Sequence, residues 1–491
     1  MRTTYIHTVL IIILLGAAIR FYNIHGQQLW ADEIDTLYRA RNFWDFYPTY
    51  LFYQSEKYNS PKTSIYSLSD FNGFSNHQPL YYTLLALWTK LFGFTTTSAR
   101  LLSVLFSLLT IFAVFLLATE LFSERAGIFA AFIFAISPFH LYYAHELRDY
   151  ALVMLLAVLS SLFFWKVLKK QRCIFWYGLF TGLLLLSHTH TFFLVFAQWL
   201  FVVFFYRQSF KQFFYGQLVS FLIYLPWLPH FINQLRFIDA SRSVYFTFNF
   251  IDLPAVYLVF GLGQTLIVKE SPWFFLITIS ILYLLSFAAV ALFALYKGKK
   301  DTNTYLLLWL VVPVVLPWSI SYIIPVYTYR YASVAAPALA LLLGEGYAIL
   351  EKKSKTTFVF LLVILGLLSV SSFIMYEVLP SRQQTQELAD YLAFHVDNES
   401  IYVFHWNYHL LLRYYHPELP IYGISKGLSD ILVPSEIEKF VSLVKPLRSF
   451  WFVYGSARNK EEIDKIIINA GYRATTIKKM VGFYAYHYEK I

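Results

Sequence analysis

The sequence predicts an all-α polytopic membrane domain of about eleven transmembrane helices, with extra re-entrant or interfacial helices, followed by a small C-terminal α/β extracytoplasmic domain. Three observations predict it. Hydrophobic residues make up 58% of the 491 and charged residues only 14%, against about a quarter in soluble domains, so most of this apolar surface needs lipid as its solvent. Apolar stretches of spanning length recur from the N-terminus to about residue 378. After Pro380 the composition turns mixed polar and apolar.

The expected spans fall at 5–23, 100–120, 126–143, 150–168, 174–190, 191–206, 213–231, 273–296, 304–324, 331–350 and 358–378. Two apolar pieces, 79–94 and 254–268, are too short to cross and are expected to be re-entrant or interfacial. Arg2 followed by Thr8 to Ile19 imitates a signal peptide, and Gly16-Ala17-Ala18 supplies small residues, but the segment is expected to be retained as the first span. The abundant Tyr and Phe, which bring aromatics to 20%, suit a chain with many lipid–water boundaries. The lone Cys173 excludes an intrachain disulfide. No internal repeat is visible.

The net charge of +10 would raise the question of nucleic acid in a soluble protein; here it sets orientation, and no nucleic-acid partner is expected. Basic clusters occur at Lys166/Lys169/Lys170/Arg172, Arg207/Lys211, Lys297/Lys299/Lys300 and Lys352/Lys353/Lys355. With the N-terminus inside, eleven spans put all four in the cytoplasm, whereas a full span at 79–94 would put them outside. The same topology sends 24–99, 144–149, 187–191, 232–272 and 325–330 to the extracytoplasmic face. The domain division is therefore 1–379 for the membrane domain, with 24–99 its first outer loop, and 380–491 for the outer domain. In the latter, helical patterns at 383–395, 435–444 and 460–470 alternate with strand-like runs at 401–405 and 449–454.

The loops of that outer face carry the chemistry. Asp32 and Glu33 stand adjacent just past the first span, where an Asp within reach of a hydroxyl can take its proton. His77 precedes Pro79, a residue suited to start a helix. Residues 137–150 bring His140, His145, Glu146, Arg148, Asp149 and Tyr150 to a membrane boundary, where ionisable groups are costly; an Arg there can grip a phosphate, or Glu146 and Arg148 can pair to fix the turn. His188 and His190 are spaced poorly for a metal without a third ligand, and polar lining of a cavity is their expected role. Arg330, flanked by Tyr327, Tyr329 and Tyr331, either anchors the boundary or meets a lipid phosphate.

The order Trp30-Ala31-Asp32-Glu33, His77-Gln78-Pro79-Leu80-Tyr81-Tyr82, Ser98-Ala99-Arg100, Ser137-Pro138 with Glu146-x-Arg148-x-Tyr150, and Arg330-Tyr331 with Pro337 resembles a known family. It is similar to bacterial relatives of the dolichyl-phosphate-mannose protein mannosyltransferases, the family 39-like glycosyltransferases of the C-type fold that include aminoarabinose transferases. The resemblance covers roughly 1–350; one departure is Gln78, where the family often has Pro. It implies an inverting transfer of a hexosyl or pentosyl unit from a polyprenyl-phosphate donor to a hydroxyl of a lipid A, glycolipid, polysaccharide or protein acceptor, at the cell membrane. It makes Asp32 the base and Glu33 its support, and Arg148 and Arg330 the phosphate-binding cations. Arg100, His77, Glu146, Tyr150, His188 and His190 complete the expected substrate site. In this family the first span is kept and presents the acidic loop. No cofactor is required on this view, although Asp32, His188 and His190 leave room for a divalent metal. A transporter or flippase of lipid-linked sugars is the alternative, but such proteins often show internal repeats and midplane sites. A non-catalytic scaffold is a third.

Overall fold

The computed structural model describes residues 3–41, 77–170, 172–236, 252–263, 273–324, 326–378, 384–396, 399–425, 434–455 and 460–491. The chain packs as two units, one of Met1–Ile24 with Phe74–Leu379 and one of His25–Gly73 with Pro380–Ile491. The segment expected as one outer loop is thus shared between them.

The first unit is helical. Its elements are α1 (Thr3–Phe21), α3 (Leu80–Phe92), α4 (Thr96–Leu121), α5 (Glu124–Ile136), α6 (Pro138–Ala144), α7 (Tyr150–Leu168), α8 (Ile174–Leu185), α9 (Thr191–Phe205), α10 (Phe210–Tyr224), α11 (Leu228–Arg236), α12 (Asp252–Leu262), α13 (Trp273–Lys297), α14 (Lys300–Ile320), α15 (Ala336–Lys353) and α16 (Lys355–Val378). Each of the eleven expected spans is helical in whole or in large part. Among the described residues, five helices are long and apolar enough to cross a membrane, and the count is seven if two bent pairs, α5 with α6 at 59° and α9 with its successors at 113°, are each taken as one span. The remaining apolar helices, α1, α8, α12 and the apolar end of α13, are shorter. The protein is multi-pass.

Burial sorts these helices. α7 is apolar all round and buried along nearly its whole length, as a helix surrounded by others must be. α16 instead exposes Phe360, Val363, Leu367, Val370 and Ile374 at helical spacing, a face suited to lipid. α8 and α10 pack closely, because a Cβ on Gly216 would lie 2.3 Å from the Tyr177 ring and one on Gly178 2.4 Å from Val219. Polar side chains bind this part of the bundle: Tyr177 donates to Gln198 Oε1 (2.8 Å), Gln217 donates to Tyr177, and Tyr305 donates to Ser161 (2.8 Å).

A second buried polar knot involves Arg20, fully enclosed in α1. Its Nε donates to Ser107 Oγ (2.6 Å), Nη1 to the Gly16 and Ala135 carbonyls (3.0 and 2.8 Å), and Nη2 to His140 Nδ1 (2.9 Å). A guanidinium only donates, so His140 Nδ1 accepts and Nε2–H faces Ser107 at 3.1 Å. His145 in turn lies 2.7 Å from the Arg20 carbonyl and 3.1 Å from the Tyr376 hydroxyl. His140 and His145 thus stitch α1, α4, α5 and α16 together. A buried cation is tolerated when its donors are all satisfied in this way.

The second unit contains α2 (Ala31–Arg41) and the C-terminal chain: α17 (Thr385–His395), β1 (Ile401–His405), α18 (Trp406–Tyr415), β2 (Ile421–Ser425), α19 (Pro434–Val444), β3 (Ser449–Tyr454), α20 (Lys460–Asn469), β4 (Tyr472–Met480) and β5 (Phe483–Lys490). The sheet order is β2-β1-β3-β5-β4, with β2, β1 and β3 parallel and β5 antiparallel to both its neighbours. β3 is central, which explains its almost unbroken apolar run Phe450–Tyr454. An aromatic core of Tyr402, Phe440, Phe450, Phe452, Tyr486 and Tyr488 holds the helices to it. Gly482, at φ 81°, makes the tight turn of the β4–β5 hairpin.

Candidate functional site

In the helical unit, four short segments meet at one end of the bundle, and local chemistry explains each. Residues 145–149 follow α6, a helix started by Ser137, whose hydroxyl accepts the His140 N–H, and by Pro138 at its first turn. The Glu146 carbonyl is pinned by Ser103 Oγ (2.9 Å). The turn 186–190 is drawn tight by Ser187 and Thr191, whose hydroxyls donate to the Leu184 carbonyl (2.6 and 3.0 Å). The His77-Gln78-Pro79 segment docks on that turn: Leu80 N donates to the Leu186 carbonyl (3.0 Å) and Gln78 Nε2 to Thr189 Oγ1 (3.2 Å). Gln78 therefore has a defined task. The fourth segment, 326–335, begins where Ser321 Oγ accepts Val326 and Tyr327 N–H, and its short 3-10 helix Tyr331–Ala335 is anchored by Trp309 Nε1 on the Val334 carbonyl (2.8 Å).

Tyr331 is the keystone. Its ring lies 4.9 Å from that of His188 and 4.8 Å from that of His190, and the Arg330 guanidinium lies 5.4 Å from the same ring. Arg330 is thereby carried to the 186–190 turn. Arg148, almost fully buried, reaches toward the Tyr82 hydroxyl at 3.5 Å, and the Tyr82 ring is 5.5 Å from His77. Tyr150 packs on Tyr143 (4.8 Å) and His188 (6.0 Å). Both arginine charges act on the Tyr150 hydroxyl and on the His188 ring, so cations from distant parts of the chain converge on one place. Glu146 and Asp252 also act electrostatically on Tyr329, the residue before Arg330.

Two groups there are poised as donors. His188 lies in the turn outside both helices. Loss of water contact, then Arg148 and Arg330, push its imidazole well below its usual range, so the ring is neutral. Its Nδ1 accepts the His190 N–H at 3.1 Å, which places the proton on Nε2. The Tyr150 hydroxyl is buried and has no hydrogen-bond partner among the described residues. A pair of guanidiniums, a neutral imidazole N–H and a buried hydroxyl together suit an anionic, oxygen-rich ligand.

The other expected residues are placed as follows. Arg100 is fully buried and donates to the Ile24 carbonyl (3.0 Å), fixing the exit of α1. Asp32 and Glu33 lie in the second unit, in the first turn of α2; Asp32 is partly exposed and Glu33 is fully buried. Sequence reasoning did not single out Tyr82, Tyr331, Gln78 or the buried Asp35–Arg39 ion pair of α2 (2.7 Å) as site residues. The last had a local signal in the i, i+4 spacing of opposite charges, and the other three stand inside the motifs around His77 and Arg330. Among the described residues, no three His, Cys, Asp or Glu side chains form a metal-binding group.

Residues 76–232 match the family model described as dolichyl-phosphate-mannose-protein mannosyltransferase. ArnT from Cupriavidus metallidurans in the apo state superposes with a TM-score of 0.61 at 11% identity, covering 98% of this chain and 97% of that one. The chain has the fold of the C-type membrane glycosyltransferases. The same C-type architecture is shared with ArnT bound to undecaprenyl phosphate (TM-score 0.59, 11% identity, 98% and 97% covered). It extends to the Archaeoglobus fulgidus oligosaccharyltransferase tethered with an acceptor peptide (TM-score 0.58, 14% identity, 99% and 74% covered). No curated protein matches the sequence.

Proposed function

We propose that the chain transfers a sugar from a polyprenyl-phosphate donor to a hydroxyl of an extracytoplasmic acceptor at the cell membrane. The observation that carries this reading is the convergence of Arg148 and Arg330 on Tyr150 and His188, within a C-type fold. The acceptor oxygen attacks the anomeric carbon, the bond from that carbon to the phosphate oxygen breaks, and the configuration inverts. The acceptor proton passes to Asp32, a partly exposed residue in the first turn of α2, with buried Glu33 supporting it. Polyprenyl phosphate leaves with one added negative charge. Arg148 and Arg330 stabilise that charge, helped by the Tyr150 hydroxyl and His188 Nε2–H. His77, Glu146 and His190 line the sugar, and Arg100 holds the frame.

With two guanidiniums serving the leaving phosphate, we assign no obligatory metal. The ArnT structure with undecaprenyl phosphate supports a lipid-phosphate donor, and the oligosaccharyltransferase with its peptide supports an acceptor outside the lipid. Mass spectrometry of envelope glycans from cells with and without the protein identifies the sugar and the acceptor class. An Asp32→Asn variant is expected to remain inserted and to lose the modification; full modification by that variant would sink the assigned base.

A further inference from the structure

The acidic pair rides on a helix that cannot hold its own position. α2 has eleven residues, too few for an isolated helix to persist in water. Its support comes from the C-terminal domain. Ile34, Leu37 and Ala40 are buried along one face, and α2 packs on α18. The Asp35–Arg39 ion pair, itself buried, stiffens the helix from within.

The dipeptide just ahead of the helix is gripped on both its main chain and its side chain. Leu29, which is 1% exposed, donates its N–H to the Tyr415 hydroxyl (3.1 Å), and its carbonyl accepts from buried Thr385 Oγ1 (3.0 Å). The Gln28 side chain takes the Gln386 N–H at its Oε1 (2.8 Å) and donates from Nε2 to the Glu387 carboxylate. Gln28 therefore caps α17 from a distant part of the chain, satisfying an N–H that the first turn of a helix leaves open. Four hydrogen bonds to two helices of the C-terminal domain fix a point three residues before Asp32.

We infer that Thr385 and Tyr415 are positioning residues for the acidic pair, so that the C-terminal domain serves as the cradle that aims Asp32. This rests on the proposed role of Asp32 as base. The physical reason is that proton transfer needs hydrogen-bond reach, and a misplacement of about 1 Å can cost about 100-fold in rate.

The test uses the full chain, both purified in lipid nanodiscs and expressed in cells lacking it. In a Thr385→Val/Tyr415→Phe double variant, amide exchange over residues 30–37 is expected to rise about 30-fold, the combined worth of two ordinary hydrogen bonds. The envelope modification is expected to fall about 100-fold. Affinity for undecaprenyl phosphate, used as the probe, is expected to stay unchanged, because Arg148 and Arg330 belong to the other unit. Thr385→Ser, which keeps the donor hydroxyl, is expected to restore modification when Tyr415 is intact. Glu399→Gln weakens the same domain through the Ser449 and His487 contacts, outside the grip on Gln28 and Leu29, and is expected to preserve modification despite a lower melting temperature. Unaltered exchange in the double variant overturns the cradle; so does raised exchange with wild-type modification. Modification lost equally in Glu399→Gln overturns it too, by assigning the effect to domain stability. An active Asp32→Asn variant removes the base assignment instead, while the exchange measurement still decides what holds α2.

Discussion

Replacing Tyr150 by Phe separates a ligand-binding hydroxyl from a structural one. The ring contacts with Tyr143 and His188 survive the change, since only the oxygen is removed. That oxygen is buried without a protein partner among the described residues, a state that costs about 1–3 kcal/mol. Its removal is therefore expected to leave the ligand-free protein as stable as before, or more stable by up to about that amount. If the hydroxyl is satisfied by a phosphate oxygen, the same 1–3 kcal/mol is lost on binding, weakening affinity about 5-fold to 150-fold. The two effects have opposite signs. The assays are thermal unfolding in nanodiscs without ligand and titration with undecaprenyl phosphate. A lower melting temperature combined with unchanged affinity would refute the reasoning, because it would give the hydroxyl a structural partner and no ligand.

Arg148→Gln and Arg330→Gln are each expected to weaken undecaprenyl-phosphate affinity by about 1.5–3 kcal/mol, the worth of a charge-assisted hydrogen bond, read by the same titration. Lys at either position is expected to recover part of that loss, since charge is kept and the bidentate fork is not. Arg20→Leu strips hydrogen bonds from Ser107, His140 and the Ala135 carbonyl, and is expected to destabilise the helical unit by about 3 kcal/mol or more, seen as loss of folded protein on size-exclusion of solubilised membranes. Incubation with EDTA followed by assay in metal-free buffer is expected to leave sugar transfer unchanged; loss restored by a divalent cation would reverse the assignment of an arginine-only leaving-group site. His416, bonded to Asp390 Oδ1 (2.8 Å) and Glu418 Oε1 (2.7 Å), has its proton affinity raised by those bonds. A raised folded-state pKa means that the stabilisation is full below the unfolded value near 6.5 and is lost as pH rises through the folded value. Melting temperature is therefore expected to fall across that window in the wild type and to flatten in His416→Gln.

The positions of the helices were legible because each depends on a local run of residues. Long apolar runs need lipid whatever lies elsewhere, and all eleven expected segments are helical in whole or in large part. How many of them cross was not legible to the same degree. A bend at Ser137 interrupts the apolar run 126–143 that looks continuous in sequence, and the chain turns by 113° at Tyr206 between two of the expected spans. The C-terminal α/β class was legible from alternating patterns, yet β2, β4, β5 and α18 went unread, since half-buried strands and mixed helices leave weak signals.

For the site, the sequence by itself supplied the candidates: Arg148 and Tyr150 at a boundary, His188 and His190 between helices, and Arg330 among tyrosines. Only the tertiary structure decided which of them meet. Tyr331 joins Arg330 to the histidine turn, Gln78 docks His77 beside the same turn, and Arg20 claims His140 for packing. It also placed α2, with Asp32 and Glu33, among the elements of the C-terminal domain. The physical reason is common to all of these. Helix formation is set by neighbours a few residues away, whereas a buried cation or a gripped backbone is satisfied by whatever the chain brings back from far along its length.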